Sequence, residues 1–174
     1  MPDITDIIRL LDREIWLVTA AADERRGGLI ATFVNQASIV PEAPRMLVGI
    51  AKQHHTWGLI EASRVFTLHL LDESHLDWVW RFGLSSGHAI DKFAGLPELD
   101  AVAWLECKVE TSLDTGDRTL YLAEVLAGQL AKPTPPLTMK RLLQLAPPER
   151  LRELKAGLER DAVIDAAAIR AWRA

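Results

Sequence analysis

The sequence predicts a mainly β domain, an antiparallel barrel or sandwich, with short helical inserts and a helical C-terminal tail. Three observations predict it. About seven extended stretches fall before residue 131, closely spaced and separated by turn signals. The connections between them are too short for the helical crossovers that parallel pairs need. Beyond residue 131 the composition shifts to Leu, Arg, Lys, Glu and Ala, which favour helix. The expected organisation is a barrel domain over residues 1–131 and a helical extension over 132–174, packed on the barrel or on a partner subunit.

Each element has its own signal. Ile4, Ile7, Ile8 and Leu11 recur at helical spacing, with Asp3 or Thr5 as cap, so a short amphipathic helix opens the chain. Residues 14–22 are rich in β-branched and aromatic side chains. After the polar run from Asp23 to Gly28, a second strand is expected over 29–36, with Gly27 and Gly28 supplying positive φ to a hairpin. Pro41 and Pro44 bracket a turn before the apolar strand 46–51. A helix over 56–63 leads to a strand over 65–71, with Phe66, Leu68 and Leu70 on one face and His69 on the other.

Ser74 opens a helix through Trp80, and the glycine-containing stretch 83–92 reads as a surface or functional loop. Residues 103–113 alternate, placing Leu105, Cys107, Val109 and Thr111 inward. The turn Asp114-Thr115-Gly116-Asp117 returns the chain as a partner strand over 119–130. Lys132 to Pro136 is a linker, and Thr138, Pro147-Pro148 and Asp165 mark the starts of helices over 138–145, 148–159 and 165–173. Leu151, Leu154 and Leu158 form a stripe too narrow for a free-standing bundle, so the tail should dock.

Composition excludes several classes. With 174 residues one core suffices, and no disulfide or metal staple is needed. The formal net charge of −4 disfavours nucleic acid and anionic membrane as partners. No apolar run is long enough to span a bilayer, and Asp3 stands where a secretory signal would carry base, so the cytoplasm is expected. The single cysteine, Cys107, reads as an inert core thiol. There is no G-x-G-x-x-G opening a helix, no Walker lysine, no H-E-x-x-H and no C-x-x-C. Side chains of the adjacent His54 and His55 would point apart in extended chain, so no metal site is expected. Of the six tryptophans, Trp78 and Trp80 flank the 83–92 loop and are candidates for stacking on a planar ligand, with core packing the commoner role.

The informative polar residues stand at strand ends. Thr32, Asn35, Gln36 and Ser38 cluster where the second strand leaves for the Pro41 turn. Lys52, Gln53, His54, His55 and Thr56 lie between a strand end and a helix start, where unpaired N–H groups, an ammonium and a hydroxyl suit a phosphate monoester. The same residues also fit an ordinary helix cap beside a solvated lysine.

The stretch from Ile30 to Pro41, then Val48-Gly49-Ile50-Ala51-Lys52 with Thr56 following, and Phe82 with Asp91-Lys92-Phe93-Ala94-Gly95 resemble the flavin reductase-like family of FMN-binding split barrels. Flavoredoxin and the flavin reductase domains of flavodiiron proteins are the members it is most similar to. Leu105-Glu106-Cys107 and the Gly116-Asp117 turn extend the resemblance over about residues 12–130. The resemblance implies a Greek-key split β-barrel that forms a homodimer, with FMN near the subunit interface. By matching position, it implies that Thr32, Phe33, Asn35, Gln36 and Ala37 line the isoalloxazine and ribityl chain. Lys52, His54 and Thr56 would hold the phosphate, and Lys92 and Phe93 would close the groove.

The implied activity is an FMN-dependent NAD(P)H:flavin oxidoreductase that takes hydride from NADH or NADPH and passes electrons to free flavin or a redox partner protein. Two departures bear on it. Arg118 stands where many members carry a histidine near flavin and nicotinamide, which leaves a non-enzymatic electron carrier open. The helical tail has no counterpart in the resemblance, so a cofactor-less barrel that grips a partner through its leucine stripe is a third reading.

Overall fold

A computed structural model describes residues 3–174. The chain opens with a short helix, α1 (Ile4–Ile8), whose first turn is capped by the Asp3 carboxylate accepting from the Thr5 amide. Strands β1 (Trp16–Ala22), β2 (Arg25–Ala31), β3 (Val34–Gln36) and β4 (Arg45–Ala51) follow. Then come α2 (His55–Ser63), β5 (Val65–Leu70), a single 3-10 turn and α3 (Leu76–Gly83). The long strands β6 (Ala103–Asp114) and β7 (Arg118–Leu130) precede α4 (Met139–Leu145) and α5 (Pro148–Arg173).

All seven strands join one antiparallel sheet in the order β2-β1-β5-β6-β7-β4-β3. Strands β2 and β3 lie at opposite ends of that order, yet only Thr32 and Phe33 separate them in the chain. Three residue steps span at most roughly 11 Å, so the sheet must curl until its two ends nearly meet. The expected single strand over 29–36 is therefore broken in two, because the chain crosses from one end of the curled sheet to the other.

Side-chain alternation then sorts the core. Val18, Val48, Ile50, Phe66, Leu68, Cys107, Tyr121 and Ala123 point into the barrel and are buried there. A second apolar layer lies outside, where Leu17, Leu71, Val79, Trp80 and Phe82 meet Leu137 and Leu142 of the tail. The segment expected as a plain linker is stitched in by Lys132 N–H to Val102 O at 3.1 Å and by the Thr134 hydroxyl donating to Asp72 at 2.9 Å, and just beyond it Leu137 N–H donates to Leu71 O at 2.7 Å.

Three further expectations need correction. Gly27 and Gly28 are extended residues within β2, and the positive φ of that hairpin belongs to Asp23, at 54°. Thr111 is exposed rather than inward, because the β6–β7 register shifts between Val109 and Thr111, and a bulge reverses the alternation beyond it. The helices expected over 148–159 and 165–173 are one continuous helix, α5, since nothing between residues 159 and 165 breaks helix and Asp165 serves an ion pair instead of a cap.

Candidate functional site

The site grows from two adjacent glycines. A Cβ on Gly27 would come within 2.9 Å of Leu59 and 3.0 Å of both His55 and Thr56, and one on Gly28 would meet the Phe82 ring at 2.8 Å. Their bare backbone lets the first turn of α2 and the end of α3 close on the same strand. Between these elements, the residues after α3 and the facing side of α5 lies a pocket of about 400 Å³.

One wall of the pocket consists of donors. Helix α2 starts with no side chain capping its first N–H groups and no acidic residue in its first turn. Thr56 is buried there with its hydroxyl, and Gln53 lines the pocket with a buried Nε2 that has no hydrogen-bond partner among the described residues. Such an orphaned amide is costly unless something accepts from it.

Lys92 reaches the pocket from the far side of β2. It is 5% exposed, and its ammonium donates to Phe82 O at 2.8 Å and Gly28 O at 3.1 Å. Three protons serve two carbonyls, so one is available to a ligand. Burial pushes its pKa down to about 8, which keeps it a cation at neutral pH. His54 and His55 line the same pocket, and burial moves both below the ordinary histidine range. The His55 ring meets His88 edge-on at 5.1 Å. An uncapped helix start, a buried ammonium and an unpartnered amide together fit a phosphate, and no metal-binding cluster of three or more ligating side chains exists among the described residues.

The remaining sequence-predicted residues divide. Thr32 and Phe33 form the crossing between β2 and β3, and Asn35, Gln36 and Ala37 lie exposed along and just after β3. Phe33 is 46% exposed and held between two guanidinium groups, Arg118 at 4.7 Å and Arg13 at 5.0 Å from its ring centre. Buried Arg13 Nε and Trp16 Nε1, near this crossing, also lack partners. Lys52 does not join the pocket: its ammonium is bound by the Asp114 carboxylate at 2.6 and 2.7 Å. Phe93 faces a second hollow, packed edge-on to Phe82 at 5.0 Å. Trp78 stacks on Phe82 at 5.7 Å and Trp80 is buried in the outer core, so neither borders the pocket.

Sequence reasoning included Gln53 in the stretch suited to an anion without giving it a role of its own, and it did not single out the serines after α3 or α5 as part of the site. The glycine-containing loop pointed towards the serines, and no local signal pointed to α5. That helix brings Glu153, Leu154, Leu158, Arg160 and Asp161 to the pocket wall facing α2. Its far end is tied down by Asp165, whose carboxylate accepts from Arg118 at 2.8 Å, and by Trp172, which sits over Gly116.

Comparison with known proteins agrees with the fold. Residues 8–142 match the model of the flavin reductase like domain. The chain is 28% identical over 141 residues to diflavin flavoprotein A 1 of Synechocystis, covering 75% of this chain and 24% of that one. It is 29% identical over 146 residues to the high molecular weight rubredoxin of Moorella thermoacetica, covering 77% of this chain and 63% of that one. The chain thus spans only part of the length of these relatives. The same fold recurs in the NADH:FAD oxidoreductase of Streptomyces globisporus, with a TM-score of 0.67 and 20% identity over 79% of this chain and 90% of that one. No helix among the described residues is long and apolar enough to cross a membrane. By the extent of the family match and the curled antiparallel sheet that carries it, the chain belongs to the flavin reductase like domain family.

Proposed function

We propose that the protein is an FMN-dependent NAD(P)H:flavin oxidoreductase that works as a homodimer and passes electrons to free flavin or a redox partner protein. The observation that carries the reading is the donor wall: the buried Lys92 ammonium, the orphaned Gln53 amide and the open start of α2 converge on one pocket. The family match and the names of the relatives, a diflavin flavoprotein and an NADH:FAD oxidoreductase, support a flavin as the occupant.

Bound flavin supplies the hydride and electron chemistry. The chain's own residues bind and orient. Lys92, Thr56 and the α2 amides hold the phosphate, while the β2–β3 crossing offers backbone and amide groups to the ring system. Purified protein mixed anaerobically with FMN and then with NADH or NADPH should lose its flavin absorption rapidly. Protein that retains no FMN after excess is removed would overturn the reading and leave the cofactor-less barrel.

A second reading, a flavin-binding electron carrier, is favoured by one specific observation. Arg118, at the position of the family histidine, is committed to Asp117 at 2.6 Å and Asp165 at 2.8 Å and stacks on Phe33. Bleaching by dithionite and not by nicotinamide would select it.

A further inference from the structure

We propose that Arg160 of helix α5, with Ser85 and Ser86 after α3, forms a second phosphate subsite beside the one built by Lys92 and the start of α2. The two subsites together hold a pyrophosphate, that of a flavin adenine dinucleotide, FAD. The inference rests on the flavin reading above and gives a binding role to a residue of the tail, beyond the residues 8–142 that the family match covers.

A phosphate monoester gathers its charge on one group, whereas a pyrophosphate spreads a similar charge over two groups that share one bridging oxygen. Such a ligand needs a second cation beside the first rather than a stronger one. The pocket has both, Lys92 from the β2 side and Arg160 on the wall facing α2. Arg160 is uncommitted. The positions three and four residues from it on the helix hold Ala156, Gly157, Val163 and Ile164, so no helical neighbour at those spacings can pair with it. Its guanidinium lies over Gly157, 3.7 Å from where a Cβ would stand, and makes no ion pair or hydrogen bond among the described residues. The two carboxylates on the same wall act elsewhere. Glu153 accepts from Arg150 at 2.7 Å, and Asp161 acts on His54, where it opposes the effect of burial.

Two hydroxyls stand with this cation in the lining. Ser85 is half-buried, and Ser86 accepts from the His88 amide at 3.2 Å, which leaves its own hydroxyl proton to donate. The next residue, Gly87, lets the chain close on His55, whose ring would stand 3.3 Å from a Cβ there, so the serines border the same space as the α2 donors. The stretch of α5 that carries Arg160 is held on both sides: Leu151 packs on the outer core, and Asp165 accepts from Arg118 at 2.8 Å. At about 400 Å³ and open to solvent, the pocket has room for two linked phosphates and lets the adenosine extend outwards.

The test is a calorimetric titration of the full-length apoprotein with FMN and with FAD. Wild-type protein should bind both. Arg160→Ala should weaken FAD by about fivefold to tenfold, the low end for a charge-assisted contact because the guanidinium is exposed, while FMN affinity stays within about twofold. Retained FMN binding certifies that the variant is folded. Arg160→Lys should recover part of the loss, and Arg152→Ala, an exposed arginine of α5 away from the pocket, should change neither affinity. FAD affinity unchanged in Arg160→Ala, FMN and FAD weakened equally, or wild-type protein that binds FMN but not FAD would overturn the inference alone. Wild-type protein that binds neither flavin would overturn the functional reading and this inference with it.

Discussion

Lys92 decides how the pocket should respond to pH. Its cationic form donates to two carbonyls and has one proton to spare, and that form is lost as pH rises through about 8. Affinity for a phosphorylated flavin should therefore fall between about pH 7 and 9, while riboflavin, which lacks the phosphate, should show no such fall. For folding the sign is opposite. The folded-state pKa lies below the unfolded value of 10.5, so between about 8 and 10.5 the unfolded chain holds more protons and stability without ligand rises with pH. Lys92→Met should weaken FMN binding by on the order of tenfold to a hundredfold, the usual cost of one charge-assisted contact. Cys107 behaves as a plain core residue: burial first, then Glu106, pushes its pKa up to about 12, so the native protein should resist thiol reagents that label the unfolded chain.

Lys92 was legible as a candidate because a short motif surrounds it, and the structure places it in the pocket lining. Lys52 was equally legible as a cation, but its fate depends on Asp114, a partner 62 residues away that no local pattern announces. Gln53 looked like any polar residue beside a helix start. Only the packing that buries Nε2 without a partner marks it out.

At the scale of elements, periodicity identified strands and helices well and failed where tertiary geometry intervened. The β2–β3 break at Thr32 and Phe33 follows from closure of the sheet, and the β6 bulge follows from pairing with β7; neither has a local signature. Gly27 and Gly28 looked like turn glycines and are close-approach glycines. Gly28→Ala should accordingly destabilise the protein by about 1 to 3 kcal/mol, since its Cβ would press on the buried Phe82 ring, and thermal unfolding would measure the loss. Where the signal is local the reading holds without help: Thr138 caps α4 through its hydroxyl, accepting from the Arg141 amide at 3.3 Å. Thr138→Ala should cost about 1 kcal/mol in the same measurement, with flavin binding unaffected.

At the scale of the whole molecule, a seven-stranded antiparallel sheet curls until its ends nearly meet, and α5 of the tail supplies one wall of the pocket. The all-antiparallel architecture was legible because short connections exclude parallel crossovers. The position of α5 was not, because its anchors, Arg118 with Asp165 and Gly116 with Trp172, join residues about 50 positions apart by chemistry that composition does not encode.

Whether this pocket grips the phosphate of a flavin, as proposed, is decided by a paired titration of the apoprotein with FMN and riboflavin at neutral pH. FMN should bind about tenfold or more tighter than riboflavin, and the difference should vanish in Lys92→Met. Equal affinity for the two, or no binding of either, would contradict it.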